Sequence, residues 1–149
     1  MIATATPVDL CARADDEQIV RLIAMGLNAE APETEIEHAR RAGREYRDME
    51  NMDLWGVEEA GRVHALIGVQ IASAGELILR DLAVAPEARR QGIGRRLIDF
   101  VRRELAPDLI RGYTWWGAVA FYEHCGFAVR EDGVLASGGP RCAFEWRRS

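Results

Sequence analysis

The chain has 149 residues, 48% hydrophobic and 29% charged, with a formal net charge of -5. That length fits one domain spanning residues 1–149, and the apolar share excludes a disordered chain. All 19 basic residues are arginine, which excludes a lysine-dependent phosphate loop or Schiff base, while net acidity argues against nucleic acid as a partner.

Val8, Leu10, Ala12 and Ala14 alternate with polar neighbours and predict a first strand. Asp15 or Asp16 offers a cap for a helix with Ile19, Val20, Ile23 and Leu27 at helical spacing. Pro32 precedes a second, more polar helix running to about Asp48. Residues 54–58 read as a strand and 59–62 as its turn. Val63, Ala65, Ile67, Val69 and Ile71 then alternate on one face of a long strand, leaving His64 with Arg62, Leu66 and Gln70 on the opposite face, where it is expected to be solvated or to support a site from behind rather than to be catalytic. After the turn 73–75, residues 76–84 form the next strand.

From Gly92 the period becomes helical, with Ile93, Leu97, Phe100 and Val101 on one stripe and Pro107 as the stop. Asp99 stands four residues from both Arg95 and Arg103, which predicts ion pairing along that helix. Residues 109–114 predict a short strand and 118–125 a short helix. Residues 127–130 and 141–147 predict a closing strand pair around the flexible stretch 137–140. The order β-α-α-β-β-β-α-β-α-β-β places the chain in the α/β (α+β) class, a mixed central sheet flanked by helices.

Cys11, Cys125 and Cys142 form no CxxC pair, and His38, His64 and His124 form no metal-ligand spacing. Buried free thiols and no metal are the expectation. No apolar run is long enough to span a membrane, and the start MIATATPVDL has no leader-like pattern, so a cytoplasmic protein with no membrane partner is expected. Charge is split along the chain. Residues 1–60 hold 14 acids and 6 arginines, residues 61–149 hold 10 acids and 13 arginines. That asymmetry suits one half meeting a cation and the other an anion.

The stretch 85–98, APEARRQGIGRRLI, joins a strand to a helix through two glycines and four arginines. A helix start leaves N–H groups unpaired and carries partial positive charge, so an anion is a natural occupant. Gly92 and Gly94 allow close backbone approach, while Leu97 at the third position rules out a dinucleotide fingerprint.

Leu82-Ala83-Val84, Pro86 and then Arg89-x-x-Gly92-x-Gly94 resemble motif A of the GNAT N-acetyltransferase superfamily. Ala118-x-x-Phe121-Tyr122-x-x-x-Gly126-Phe127 resembles its motif B. The resemblance covers essentially the whole chain and implies the GNAT acyl-CoA N-acyltransferase fold with acetyl-coenzyme A (acetyl-CoA) as cofactor. It implies that backbone N–H groups of Arg89, Arg90, Gln91, Gly92, Ile93, Gly94 and Arg95 hold the pyrophosphate. Leu82, Ala83 and Val84 would pair with the pantetheine arm, as a strand added to a sheet does. The Val84 amide would polarise the thioester carbonyl. Ala118, Phe121 and Tyr122, with Trp115 ahead of them, complete the implied cofactor site.

Within that resemblance Tyr122 is the candidate acid toward the coenzyme A sulfur. Asp81 is the favoured candidate base and Glu76 the second, with a base acting through water also open. Five residues apart on one strand, Asp81 and Glu76 face opposite ways unless a bulge intervenes. Trp115 stands where family members often place an asparagine, so that contact is lost or the acceptor site is narrower and aromatic. Glu30, Glu33, Glu35 and Glu37 lie where the family forms its acceptor wall and suit a cation. The expected activity is acetyl transfer to a primary amine of a small cationic molecule, by direct attack in a ternary complex. A protein or peptide acetyltransferase, or a non-catalytic acyl-CoA-binding regulatory protein, are the alternatives, and a homodimer is common for the fold.

Overall fold

A computed structural model describes residues 4–136 and 138–149. Its elements are β1 (Val8–Asp9), α1 (Glu17–Leu27), α2 (Ile36–Asp48), β2 (Met52–Glu59), β3 (Arg62–Ser73), β4 (Glu76–Val84), α3 (Ile93–Leu105), β5 (Leu109–Trp115), α4 (Val119–His124), β6 (Ala128–Val134) and β7 (Pro140–Arg147). The order is the one the sequence patterning predicts. Part of the predicted flexible stretch, Ser137, lies outside the described residues. No helix among the described residues is long and apolar enough to cross a membrane.

The strands form one sheet in the order β1-β2-β3-β4-β5-β7-β6. Every neighbouring pair is antiparallel except β4 and β5, which run parallel. Helices cover both faces and bury two cores. On one face α1 and α2 pack Ile19, Val20, Ile23, Ala39 and Tyr46 against Leu54 and Leu66. On the other, α3 and α4 pack Ile93, Leu97, Ile98 and Tyr122 against Ile67, Val69 and Leu79. Each buried Ile or Leu contributes roughly 2 kcal/mol through removal of apolar surface from water.

Helix boundaries follow local chemistry. α2 buries Ala39, Ala42, Gly43 and Tyr46, a narrow stripe of small residues ending in one large ring. α3 ends at Ala106, whose φ of 44° is left-handed, one residue before Pro107. Asp99 pairs with Arg102 at 3.3 Å rather than with Arg95 or Arg103. Arg102 is held in place by donating to the Cys125 carbonyl at 2.5 Å and lying over the rings of Phe127 and Trp146.

Three strand expectations need correction. The first strand stops at Asp9, and Cys11–Arg13 forms a single tight turn that buries Leu10 and Ala14 while leaving Ala12 exposed. The alternation of β3 breaks at His64. Val57 pairs with Ala65 but Glu58 with Val63, so His64 is an extra residue in a bulge. Val63 therefore joins the α1/α2 core instead of the face of Ala65 and Ile67. His64 is buried rather than solvated, its Nδ1 3.8 Å from Glu87.

A second bulge lies in β4, where Gly68 pairs with Asp81 and Val69 with Leu79, leaving Arg80 unmatched. It reverses the facing of everything that follows. Leu77 and Leu79 enter the α3/α4 core, yet Ala83 enters the α1/α2 core while Leu82 and Val84 pack toward α3.

Candidate active site

The parallel pairing of β4 and β5 lasts three residue pairs, from Glu76↔Leu109 to Ile78↔Arg111. Beyond it β4 continues to Val84 on β3 alone, and β5 continues to Trp115 on β7 alone. The two strands splay apart and leave a free edge on each. The Ala85 N–H donates to the His64 carbonyl at 2.8 Å. By the alternation of an antiparallel ladder, the N–H and C=O of Val84 and Leu82 then turn away from β3 and toward the splay. One of these groups is engaged: Arg89 Nε donates to the Val84 carbonyl at 3.1 Å.

At the end of β4 the chain makes a single tight turn, Pro86–Ala88, and enters α3 through the glycine loop. Arg90 and Gly92 are both left-handed, with φ of 64° and 73°. Among the described residues, the N–H groups of Arg90, Gln91, Gly92, Ile93, Gly94 and Arg95 have no hydrogen-bond partner. A Cβ placed on Gly92 would meet no heavy atom within 4 Å, so the space over the loop is open. Arg90, Arg95 and Arg96 are paired to no carboxylate among the described residues. Most other arginines of the chain are so paired. Six free donors, a helix start and unneutralised arginines are suited to holding an anion.

Gly94 joins this loop to α4. A Cβ there would lie 3.2 Å from Phe121 Cζ and 3.8 Å from Val84 Cγ2. The two sequence motifs thus meet directly, and a side chain at position 94 would press on the Phe121 ring and need it to shift by a few tenths of an ångström. Tyr122 follows Phe121, buried and stacked on Phe144 with centroids 4.1 Å apart and planes 10° apart. Burial, then the charges of Cys125 and Asp81, push its phenol well above the ordinary tyrosine value. It stays protonated throughout the physiological range.

On the opposite face of the sheet Asp81 is buried, and Tyr46 of α2 donates to its Oδ2 at 2.5 Å. Desolvation raises the Asp81 carboxyl above its ordinary range, opposed by the Tyr46 hydrogen bond and by the charges of Arg80 and His38. Glu76 lies on that face too, because the Arg80 bulge restores it. It sits at the far end of β4, five residues or about 15 Å away along the strand, bonded to Arg111 at 3.0 Å. The two carboxylates are not brought together.

A GNAT acetyltransferase domain model matches residues 50–129. The chain belongs to the GNAT acetyltransferase family. It is an acyltransferase, and acetyl-CoA is the family's donor. This GNAT chain is 30% identical over 87 residues to an uncharacterized N-acetyltransferase of Bacillus methanolicus, covering 58% of this chain and 72% of the relative. It has the fold of a GNAT-family acetyltransferase from Desulfovibrio desulfuricans, with TM-score 0.76, 20% identity, and 95% and 98% of the two chains covered. A similar fold is found in an aminoglycoside 6'-N-acetyltransferase complexed with coenzyme A, with TM-score 0.73, 16% identity, and coverage of 95% and 96%. A spermidine N-acetyltransferase from Vibrio cholerae matches with TM-score 0.66, 17% identity, and coverage of 95% and 94%.

The other predicted residues of this GNAT chain lie on β5, on and just ahead of α4, and in and just ahead of α2. Ala118 is half-buried in the turn ahead of α4. Trp115 and Trp116 are 52% and 64% exposed. Ile110 and Gly112 of β5 face Phe144 and the α3/α4 core. Tyr113 and Trp115 therefore lie on the face that carries Asp81. His124 is turned back on its own helix, with Nδ1 2.7 Å from the Ala120 carbonyl. Of the predicted acidic residues, Glu37 lies in the first turn of α2 and pairs with Arg40, whereas Glu30 and Glu33, between α1 and α2, are exposed. Two surface hollows, of about 180 Å³ beside Arg96 and Phe100 and about 490 Å³ beside Arg21 and Glu87, open elsewhere.

Sequence reasoning misses Tyr46 and Gly68. A Cβ on Gly68 would lie 2.0 Å from the Tyr46 oxygen, so the ring reaches Asp81 only because residue 68 has no side chain. No linear motif links α2 to β4 across those 35 residues. The available signal is the α2 stripe, in which Tyr46 is the one large residue after Ala39, Ala42 and Gly43.

Proposed function

We propose that the whole chain acts as one domain that transfers an acetyl group from acetyl-CoA to a primary amine of a small cationic molecule, by direct attack in a ternary complex. The observation that carries this reading is the splay between β4 and β5. It has a cradle of free N–H groups at one end and a buried, proton-binding carboxylate, Asp81, on its helix-α2 side.

In this reading the amides of residues 90–95 bind the diphosphate, and Arg90 and Arg95 add charge. The Val84 and Leu82 backbone groups align the pantetheine arm, and the Val84 N–H stabilises negative charge growing on the thioester oxygen. Asp81 accepts the proton of the attacking amine; its raised affinity for protons suits a base working near neutrality. As the N–C bond forms and the C–S bond breaks, the electron pair passes to sulfur, and Tyr122 donates the hydrogen that satisfies the thiolate. Glu30 and Glu33 draw a cation to the Asp81 face, which accords with the polyamine and aminoglycoside acceptors named for two of the structural neighbours.

A thiol-release assay with acetyl-CoA tests the proposal against a panel of polyamines, aminosugars, amino acids and short peptides. Turnover with small polycations and none with peptides is expected. Turnover with peptides alone favours the protein-directed alternative, and coenzyme A binding without thiol release for any amine favours the regulatory one. Parallel double-reciprocal lines in initial-rate kinetics would overturn direct attack.

A further inference from the structure

We infer that Tyr46 is a positioning residue for acetyl transfer: its hydroxyl clamps Oδ2 of Asp81 and leaves Oδ1 as the oxygen that takes the proton of the acceptor amine. The inference rests on the reading of Asp81 as the base.

Three features converge on one hydrogen bond. The bulge at Arg80 turns Asp81 out of the α3/α4 side and onto the α1/α2 side. Gly68, directly opposite Asp81 on β3, leaves the space into which the Tyr46 ring enters. Tyr46 is 1% exposed and fixed in the α1/α2 core, so its hydroxyl has a single direction and a single partner. Oδ1 of Asp81 has no partner among the described residues and is not among their fully buried orphan atoms, so it stays accessible. A free carboxylate presents two equivalent oxygens and rotates. One oxygen pinned at 2.5 Å removes that freedom before the amine arrives. The hydroxyl stays a donor because burial and the nearby carboxylate hold the Tyr46 phenol well above its ordinary value.

The other charged groups facing Asp81 are Arg80 beside it on β4, and His38 and Glu45 on α2; Tyr122 of α4 feels its charge from the far side. None replaces the Tyr46 donor. Its removal destabilises the ionised carboxylate, so the Asp81 proton is lost at higher pH.

The experiment compares wild type, Tyr46→Phe, Asp81→Asn and the double variant. It reads kcat and both KM values from pH 5 to 9 with an accepted amine, and coenzyme A binding by calorimetry as the check of folding. Tyr46→Phe removes one oxygen and adds no volume, so the core keeps its ring. We expect kcat to fall about 10-fold, the loss of one well-made hydrogen bond to a charged group. Acetyl-CoA KM should stay unchanged, and the acid limb of kcat/KM should move to higher pH. The double variant should lose no more than Asp81→Asn alone. If Asp81→Asn is inactive while Tyr46→Phe keeps the wild-type kcat and acid limb, the positioning role is wrong and the base reading stands. If Asp81→Asn keeps full kcat, the base reading falls first and this inference with it. Weaker coenzyme A binding in Tyr46→Phe would assign Tyr46 a structural role instead.

Discussion

The Phe144 ring lies parallel to that of Tyr122, 4.1 Å between centroids and 10° between planes, with Phe121 and Phe127 edge-on to the same phenol. The ring is thus held by packing alone, and the oxygen has no protein partner among the described residues. Tyr122→Phe should keep all these contacts and change Tm by no more than about 4 °C, the shift of a 1 kcal/mol effect at this size. It should lower kcat by about 100-fold or more, the lower bound for loss of a general acid. A variant with full turnover would reduce Tyr122 to a core aromatic.

Arg90 and Gly92 share the left-handed conformation but not the same chemistry. If backbone groups bind the diphosphate, the conformation at position 92 matters more than the side chain at position 90. Gly92→Val, a β-branched residue forced to positive φ, sets a strain of about 1–3 kcal/mol against the bound loop. Coenzyme A affinity should then fall about 10-fold or more by calorimetry. Arg90→Gly relieves a strained residue and deletes a charge; affinity should fall no more than about 3-fold, since an exposed arginine contributes little in water. A larger loss from Arg90→Gly than from Gly92→Val would move the binding from backbone to side chain.

The β4-loop-α3 unit was legible in the sequence because strand period, proline, glycines and helical stripe all agree, and β4 ends at Val84 as read. Strand facing was not legible. Alternation assumes a regular ladder, and single unmatched residues at His64 and Arg80 reverse it with no local composition signal. Those bulges decide the site. The one at Arg80 determines which core receives Asp81, and with it whether Tyr46 can reach the carboxylate. The free edge of Leu82–Val84 was legible only through family resemblance, because nothing in the residues of β4 or β5 states how many pairs they share. Tyr46 escaped because its role depends on an empty space at Gly68, two elements away.

Asp81 should cost the fold stability at the pH where it works. Desolvation raises its carboxyl above the ordinary value, so the folded chain binds this proton more tightly than the unfolded one. Stability from this group is then highest below the ordinary carboxylate range and declines as pH rises through the raised folded value. Asp81→Asn keeps a carbonyl oxygen for the Tyr46 hydroxyl and removes the charge. Its Tm should exceed that of wild type at pH 7.5, with the gap closing toward pH 4, while kcat falls about 100-fold or more. A gap that widens toward acid would show that the ionised carboxylate stabilises the fold, and would remove the argument for a raised proton affinity.

Trp115→Ala tests whether this edge of β5 serves the acceptor or the cofactor. Trp115 shares a face of β5 with Tyr113, both 52% exposed, while Ile110 and Gly112 turn to the α3/α4 core. That is the face of Asp81, so under the proposed function the ring belongs to the acceptor side rather than beneath the pantetheine arm. An exposed indole attracts a cation by about 0.5–1 kcal/mol, roughly a 2- to 5-fold effect on binding. Trp115→Ala should therefore raise acceptor KM by about that factor and leave acetyl-CoA KM unchanged. Tm should move no more than about 2 °C, as expected for a surface substitution. A neutral amine of similar size supplies the control, because it gains nothing from the ring's negative face and its KM should not respond. If acetyl-CoA KM rises instead, the ring belongs to the cofactor side, and the acidic segment from Glu30 to Glu37 is left to select the acceptor by charge alone.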